Sequence, residues 1–193
     1  MRRGLLLLLL VLALPVAAMA TSVDFGNTGG LVTTNGSGGL NITSTLTTVS
    51  GLAGGPFAGT NLGTVTITTG GILSGSLANG ATLGAGTITI TGNGSDGVPS
   101  GVLFTASFTS ATWTLFTNPA NGANYYVLTA FAGNGFTYQG TVVVPGHGLF
   151  GGRVALASGD TTVNTAPEPG TLGLFGSGLV GVAGFVRRRL RQA

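Results

Sequence analysis

Thr64-Val-Thr-Ile-Thr-Thr69 and, 23 residues further on, Thr87-Ile-Thr-Ile-Thr91 alternate threonine with β-branched apolar residues. In the first, Val65 and Ile67 point one way and Thr64, Thr66 and Thr68 the other. In the second, Ile88 and Ile90 oppose Thr87, Thr89 and Thr91. A period of two marks a strand with one face buried, and β-branched side chains are stiff enough to favour that pleated geometry. Further along the chain, Val102, Phe104, Ala106 and Phe108 share a face. The phase then slips near Ser110, and Trp113 and Leu115 continue on odd positions, which predicts a bulge or a bend. Further strands are expected over Tyr125–Ala132, Phe136–Val144 and Phe150–Ala157. From Thr21 to Thr165 no apolar pattern has helical spacing.

Turn chemistry punctuates these strands. Asn-Gly occurs at Asn35-Gly36, Asn79-Gly80, Asn93-Gly94, Asn121-Gly122 and Asn134-Gly135. Both residues tolerate the positive φ that tight hairpins require. Short strands with frequent turns predict an all-β body, an antiparallel β-sandwich or barrel. Asp24 to Gly63 is glycine-rich with weak alternation and reads as irregular edge structure. NITST at Asn41, TVTIT at Thr64, TITIT at Thr87 and SATWT at Ser110 recur every 23 residues, each with Thr at its third and fifth places. A solenoid with a T-x-T ladder would give this period, and so would a meander of hairpins. The fifth copy fails at Gly133, where GNGFT stands, and the meander is the expected arrangement.

Composition excludes several function classes. The 193-residue chain has a pI near 10.2, but it has no lysine, and six of its seven arginines lie in the tails. Between them, Arg153 stands against Asp24, Asp96 and Asp160, a net charge of −2. Nucleic-acid binding needs several cations on the phosphates, so no nucleic-acid partner is expected. The absence of cysteine excludes disulfides and thiolate metal sites. Charged residues are 6% of the chain, far below an ordinary soluble domain, so hydroxyls and amides must wet the surface. That suits an extracellular or matrix protein.

Catalytic groups are sparse. His147, in PGHGLF, is the sole histidine and reads as a turn residue rather than a base or ligand. No G-x-S-x-G nucleophile elbow occurs. A paired-carboxylate glycosidase would have to draw on Asp24, Asp96 and Asp160. Gly92-Asn-Gly-Ser-Asp-Gly97 matches a dinucleotide fingerprint in form, but Val98-Pro99-Ser100-Gly101 and a strand follow where a helix is needed. It reads as a hairpin loop. Neither enzymatic activity nor a cofactor or metal site is expected, and the body is one domain over 21–166.

Both ends read as targeting segments. Met1 to Ala20 has Arg2 and Arg3, an apolar run from Leu5 to Leu14, Pro15, and the A-x-A site Ala18-Met19-Ala20. This is a secretory signal peptide with a helical apolar segment, recognised by the general secretion machinery and cut after Ala20. At the other end Pro167-Glu168-Pro169 precedes Gly170 to Val186, an uncharged stretch about 26 Å long as a helix, against a hydrocarbon core of about 30 Å. Arg187, Arg188 and Arg189 then stop transfer and stay cytoplasmic, leaving the body outside. A single transmembrane helix over 170–186 with a basic tail over 187–193 is expected.

This ordered set (Pro167-Glu168-Pro169, a short Gly- and Leu-containing span, an arginine cluster) resembles the PEP-CTERM sorting signal of Gram-negative bacteria. The resemblance covers about the last 27 residues, 167–193. Ala166 stands where Val is common, and Gly170-Thr171 replaces the frequent Ser-Thr. The resemblance implies recognition at or near Pro167-Glu168-Pro169 by an exosortase, a membrane protease and transpeptidase. It further implies removal of the span and arginines and delivery to the cell surface or exopolysaccharide matrix. The body is similar to small Thr/Gly-rich proteins that carry this tail. The expected function is that of an exported surface- or matrix-associated protein without catalysis. The alternative is a Thr-rich module that binds ice, glycan or another surface from the same tether.

Overall fold

The computed structural model describes residues 21–132, 135–144 and 148–165. The expected signal helix over 1–20 with Ala18 and Ala20, the sorting motif, the expected transmembrane helix over 170–186, the arginine cluster and His147 lie outside them.

Eleven strands fill the compact unit Ser22–Asn164 and its ends. They are β1 (Thr21–Thr34), β2 (Leu40–Ser50), β3 (Phe57–Thr68), β4 (Ile72–Ser76), β5 (Gly80–Leu83), β6 (Gly86–Asn93), β7 (Ser100–Phe108), β8 (Ser110–Thr117), β9 (Asn124–Ala132), β10 (Phe136–Val143) and β11 (Arg153–Thr165). One sheet holds all of them, in the order β4-β5-β8-β9-β10-β11-β1-β2-β3-β6-β7. The body is all-β and antiparallel, as the alternation predicts.

The sheet curls onto itself. Phe104, on edge strand β7, stacks on Phe25 of β1 at 6.1 Å and meets Phe136 of β10 at 5.7 Å. These strands are far apart in the sheet order, so their rings face one another across the interior. Trp113 of β8 lies 4.8 Å from Tyr126 of β9, nearly parallel, with Phe150 edge-on at 5.4 Å. All three are buried, and both polar tips are satisfied. Trp113 Nε1 donates to Leu77 O at 2.9 Å, and the Tyr126 hydroxyl donates to Ala78 O at 2.6 Å.

The phase slip near Ser110 is a corner. Thr109 is a bend, after which the chain leaves β7 at one edge of the sheet and enters β8 between β5 and β9. Two more corners run side by side from β3 to β4 and from β5 to β6, where Gly84 N donates to Gly71 O at 2.8 Å. Of the five Asn-Gly pairs, Asn35-Gly36, Asn79-Gly80, Asn93-Gly94 and Asn121-Gly122 link consecutive antiparallel strands. Gly135, of the fifth, precedes β10. In the β6–β7 connection, Gly94 has φ 84° and Asp96 φ 52°, and Asn93 Oδ1 accepts from Ser95 N at 2.9 Å. The GNGSDG segment is therefore a strand-to-strand loop.

Two expectations fail for identifiable reasons. The stretch from Asp24 to Gly63 is no edge: β1 and β2 lie in the middle of the sheet. Register shifts at Gly26/Asn27 and Thr28/Leu31 break the alternation of β1, and Asn27 and Ser44 occupy buried positions where the pattern wants apolar residues. Val102 does not share the core face of Phe104. A register shift at Ile90/Thr91 places the extra residue Leu103 in β7, and Val102 is 65% exposed.

Candidate functional site

The outer face of β2, β3, β6 and β7 carries three cross-strand rows. The first runs Asn41–Thr68–Thr87–Ser107, the second Thr43–Thr66–Thr89–Thr105 and the third Thr45–Thr64–Thr91–Val102. The inner face of the same strands is Ile42, Ile67 and Ile88, then Val65 and Ile90, all essentially buried. The period that buries the isoleucines thus puts a threonine on almost every outer position. Neighbouring strands lie about 4.8 Å apart and alternate residues about 6.8 Å apart, so the hydroxyls form a two-dimensional array. Thr89 and Thr105 Oγ1 lie 3.3 Å apart, Thr66 Oγ1 donates to Thr89 O at 3.3 Å, and Thr105 Oγ1 to Ile88 O at 3.2 Å. Adjacent strands are rotated by roughly 20–25°, so the array is a twisted surface.

The solenoid reading of the 23-residue period is overturned, because the copies pair antiparallel: 41–45 against 68–64, and 64–68 against 91–87. The fourth copy, Ser110–Thr114, sits in β8 beyond the corner. Thr105 and Ser107 complete the rows from a strand outside the period. Sequence spacing missed them, although their alternation with Phe104, Ala106 and Phe108 was visible.

A shallow groove of about 470 Å³ crosses the neighbouring part of the sheet, lined by Thr28, Thr48, Gln139, Thr141, Ser158 and Asp160 with Gly26 between them. The Asp160 carboxyl is pushed above the usual carboxylate range by partial burial first and by the Asp24 charge second, against the Thr161 N–H. Of the three aspartates, then, Asp24 and Asp160 are brought within electrostatic reach of one another. Asp96 stands apart in the β6–β7 loop. Among the described residues no three His, Cys, Asp or Glu side chains cluster as a metal site would require.

Beneath the groove lies a buried polar knot that no local pattern foreshadows. Asn27 Nδ2 donates to Ser44 Oγ at 2.7 Å, and Ser44 Oγ donates to Gly29 O at 2.7 Å. Asn27 Oδ1, the Tyr138 hydroxyl and Thr161 Oγ1 lack a hydrogen bond of good geometry. Gly140 and Gly159, paired across β10 and β11, make room for the Tyr138 hydroxyl, since a Cβ at either would collide with it. Burial pushes the Tyr138 pKa far up, with Asn27 acting weakly the other way. The fold therefore holds the phenolic proton more tightly than the unfolded chain does. The contribution of Tyr138 to stability is full below pH 10 and declines as pH rises above that unfolded value. Tyr138→Phe should change stability near neutral pH by no more than about 1 kcal/mol, because the hydroxyl is already poorly paired. It should also remove part of the alkaline loss. Urea titrations at pH 7 and pH 11 check both effects.

Residues 165–189 match the family model described as the PEP-CTERM protein-sorting motif. The chain carries a PEP-CTERM sorting signal. The match encloses Pro167, Glu168 and Pro169 and reaches Arg187, Arg188 and Arg189, the residues from which the resemblance was drawn. The PEP-CTERM signal supports export and processing by an exosortase, a membrane enzyme, on the way to the cell surface. All six residues lie outside the described part of the chain. Among the described residues no helix is long and apolar enough to cross a membrane. No curated protein matches the chain, and no solved structure matches its fold.

Proposed function

We propose that this is an exported, non-catalytic component of the cell surface or extracellular matrix. Its tail holds it in the inner membrane until an exosortase acts at Pro167-Glu168-Pro169. The observation that carries this reading is the match to the sorting motif at residues 165–189. A signal peptide over 1–20, cut after Ala20, begins the route. The span 170–186 tethers the chain, and Arg187–Arg189 fix its orientation. The curled sheet acts as a partly open barrel, a compact body wetted by hydroxyls and able to sit in a hydrated polysaccharide matrix. The test is protease shaving of intact native cells, with an epitope placed after Ala20. The epitope should be released from cells with exosortase and stay with the inner membrane in cells without it. Equal release from both would sink the proposal.

The threonine rows favour a second reading, a surface-binding module for ice, glycan or adhesion on the same tether. Unlike an ordinary outer face, this one carries almost no charge and repeats one side chain across four strands. Thr66 stands at the centre of the array. Thr66→Glu should abolish retention on ice or on insoluble polysaccharide while changing stability by under about 1 kcal/mol, since the site is exposed. Unchanged retention would exclude this face as the binding surface.

A further inference from the structure

Strand β7 ends the sheet, and among the described residues only β6 pairs with it. An edge strand presents a row of unpaired N–H and C=O groups, and proteins protect such edges with charge, proline, shortness or bulges. Strand β7 is nine residues, Ser100–Phe108, without a charge or a proline. Its bulge at Leu103 interrupts only the N-terminal part, leaving Phe104–Phe108 in regular register with Gly86–Ile90. The other edge is better protected. Strand β4 has five residues, a register shift between Ile72 and Ser74, and Gly75 at φ 79°.

Burial along the inner face points the same way. Ile88 and Ile90 of β6 are fully buried, whereas their β7 partners Ala106 and Phe104 are only half-covered. Strand β7 thus joins the core through Phe108, which is buried, and through one side of Phe104, while Phe104 and Ala106 keep apolar surface uncovered.

We propose that β7 is an interaction edge and that its partner is β7 of a second copy of this chain, paired antiparallel about a two-fold axis. The strand is suited to its own copy. It brings no charge against itself, so like-charge repulsion is absent. The two-fold axis passes through Thr105 or Ser107, which sets Ala106 opposite Phe104 or Phe108 of the second copy on the inner side. On the outer side the residue at the axis meets its own copy, so the four-strand threonine array becomes one of eight strands. This inference concerns the β body and stands whether or not the tail is cleaved.

The chain has no cysteine, which makes disulfide trapping clean. Thr105→Cys, Ser107→Cys and, as a control in the middle of the same face, Thr43→Cys are introduced singly into the full chain and oxidised with diamide. All three sites are exposed, so folding should be unaffected. A disulfide forms only where two Cα atoms come within about 7 Å. Two-fold β7 pairing should give on the order of tenfold more covalent dimer at position 105 or 107 than at 43. Equal yields at all three sites, no dimer at either β7 site, or a β7 cysteine trapped chiefly on a different protein would overturn the proposal. A mixed disulfide between Thr105→Cys and Leu73→Cys chains, in preference to the homodimer, would overturn it in favour of head-to-tail pairing of β7 with β4.

Discussion

Replacing Trp113 by alanine is expected to cost the β body about 3–5 kcal/mol, a large share of the stability of a domain this size. Trp113 is fully buried, stacks on Tyr126 at 4.8 Å, takes Phe150 edge-on at 5.4 Å and donates to Leu77 O at 2.9 Å. Truncation opens a cavity between β8, β9 and the segment around Phe150, and leaves Leu77 O without its donor. Trp113→Phe keeps part of the ring packing and should lose less, because only the indole's outer volume and the hydrogen bond disappear. The sequence contains one tryptophan, so the comparison should be made by far-UV circular dichroism in urea rather than by fluorescence. A loss under about 1 kcal/mol for the alanine variant would mean that Trp113 is not packed as described.

The second large effect is on sorting. With Pro167-Glu168-Pro169 changed to three alanines, an epitope after Arg191 should pass from lost to retained, and the chain should accumulate at full length in the inner membrane. The physical reason lies in the backbone as well as in Glu168. Flanking prolines keep their neighbours extended and out of a helix, and an extended peptide just outside the bilayer is what a protease cleft can take. Alanines would remove that restraint on the backbone. Restoring only the prolines separates the two contributions: retained cleavage would make conformation sufficient, and lost cleavage would make the Glu168 carboxylate necessary. Tag loss from the triple-alanine chain equal to that of the natural chain would rule out recognition at this motif.

Different parts of the molecule were legible to different degrees. Strands β3, β6, β9 and β10 could be read directly, because they bury one face and wet the other, and a two-residue period survives in the letters. The central strands β1 and β2 could not, for β1 is bulged at its glycines, and Asn27 and Ser44 hide in the core as a hydrogen-bonded pair. Strands β4 and β5 are too short for a period to show. The end of β11 passes through Gly159-Asp160, a pair that reads as a turn but lies in the ladder opposite Gly140 and Gln139. The corner at Thr109 was visible as a slip of phase. Its consequence, a chain carried from the edge of the sheet into its other half, depends on pairings between distant strands that no local pattern encodes.

The candidate surfaces divide in the same way. The threonine rows were foreshadowed by T-x-T, but their alignment needed antiparallel registers that a repeat of 23 residues does not specify. The Asp24–Asp160 proximity and the Tyr138 knot join residues more than a hundred positions apart and left no mark in the letters. The sorting signal is the opposite case. Its information is linear, carried by Pro167-Glu168-Pro169, an uncharged span and arginines in fixed order, and one sequence sufficed to find it.

If the body reaches the surface by losing its tail, the new C-terminus records the cut. The C-terminal peptide of chain recovered from the surface of native cells can be sequenced by mass spectrometry. The expected terminus lies at or beside Pro167–Pro169, with Gly170 to Ala193 gone. Recovery of intact chain ending at Ala193, confined to the inner membrane, would contradict it.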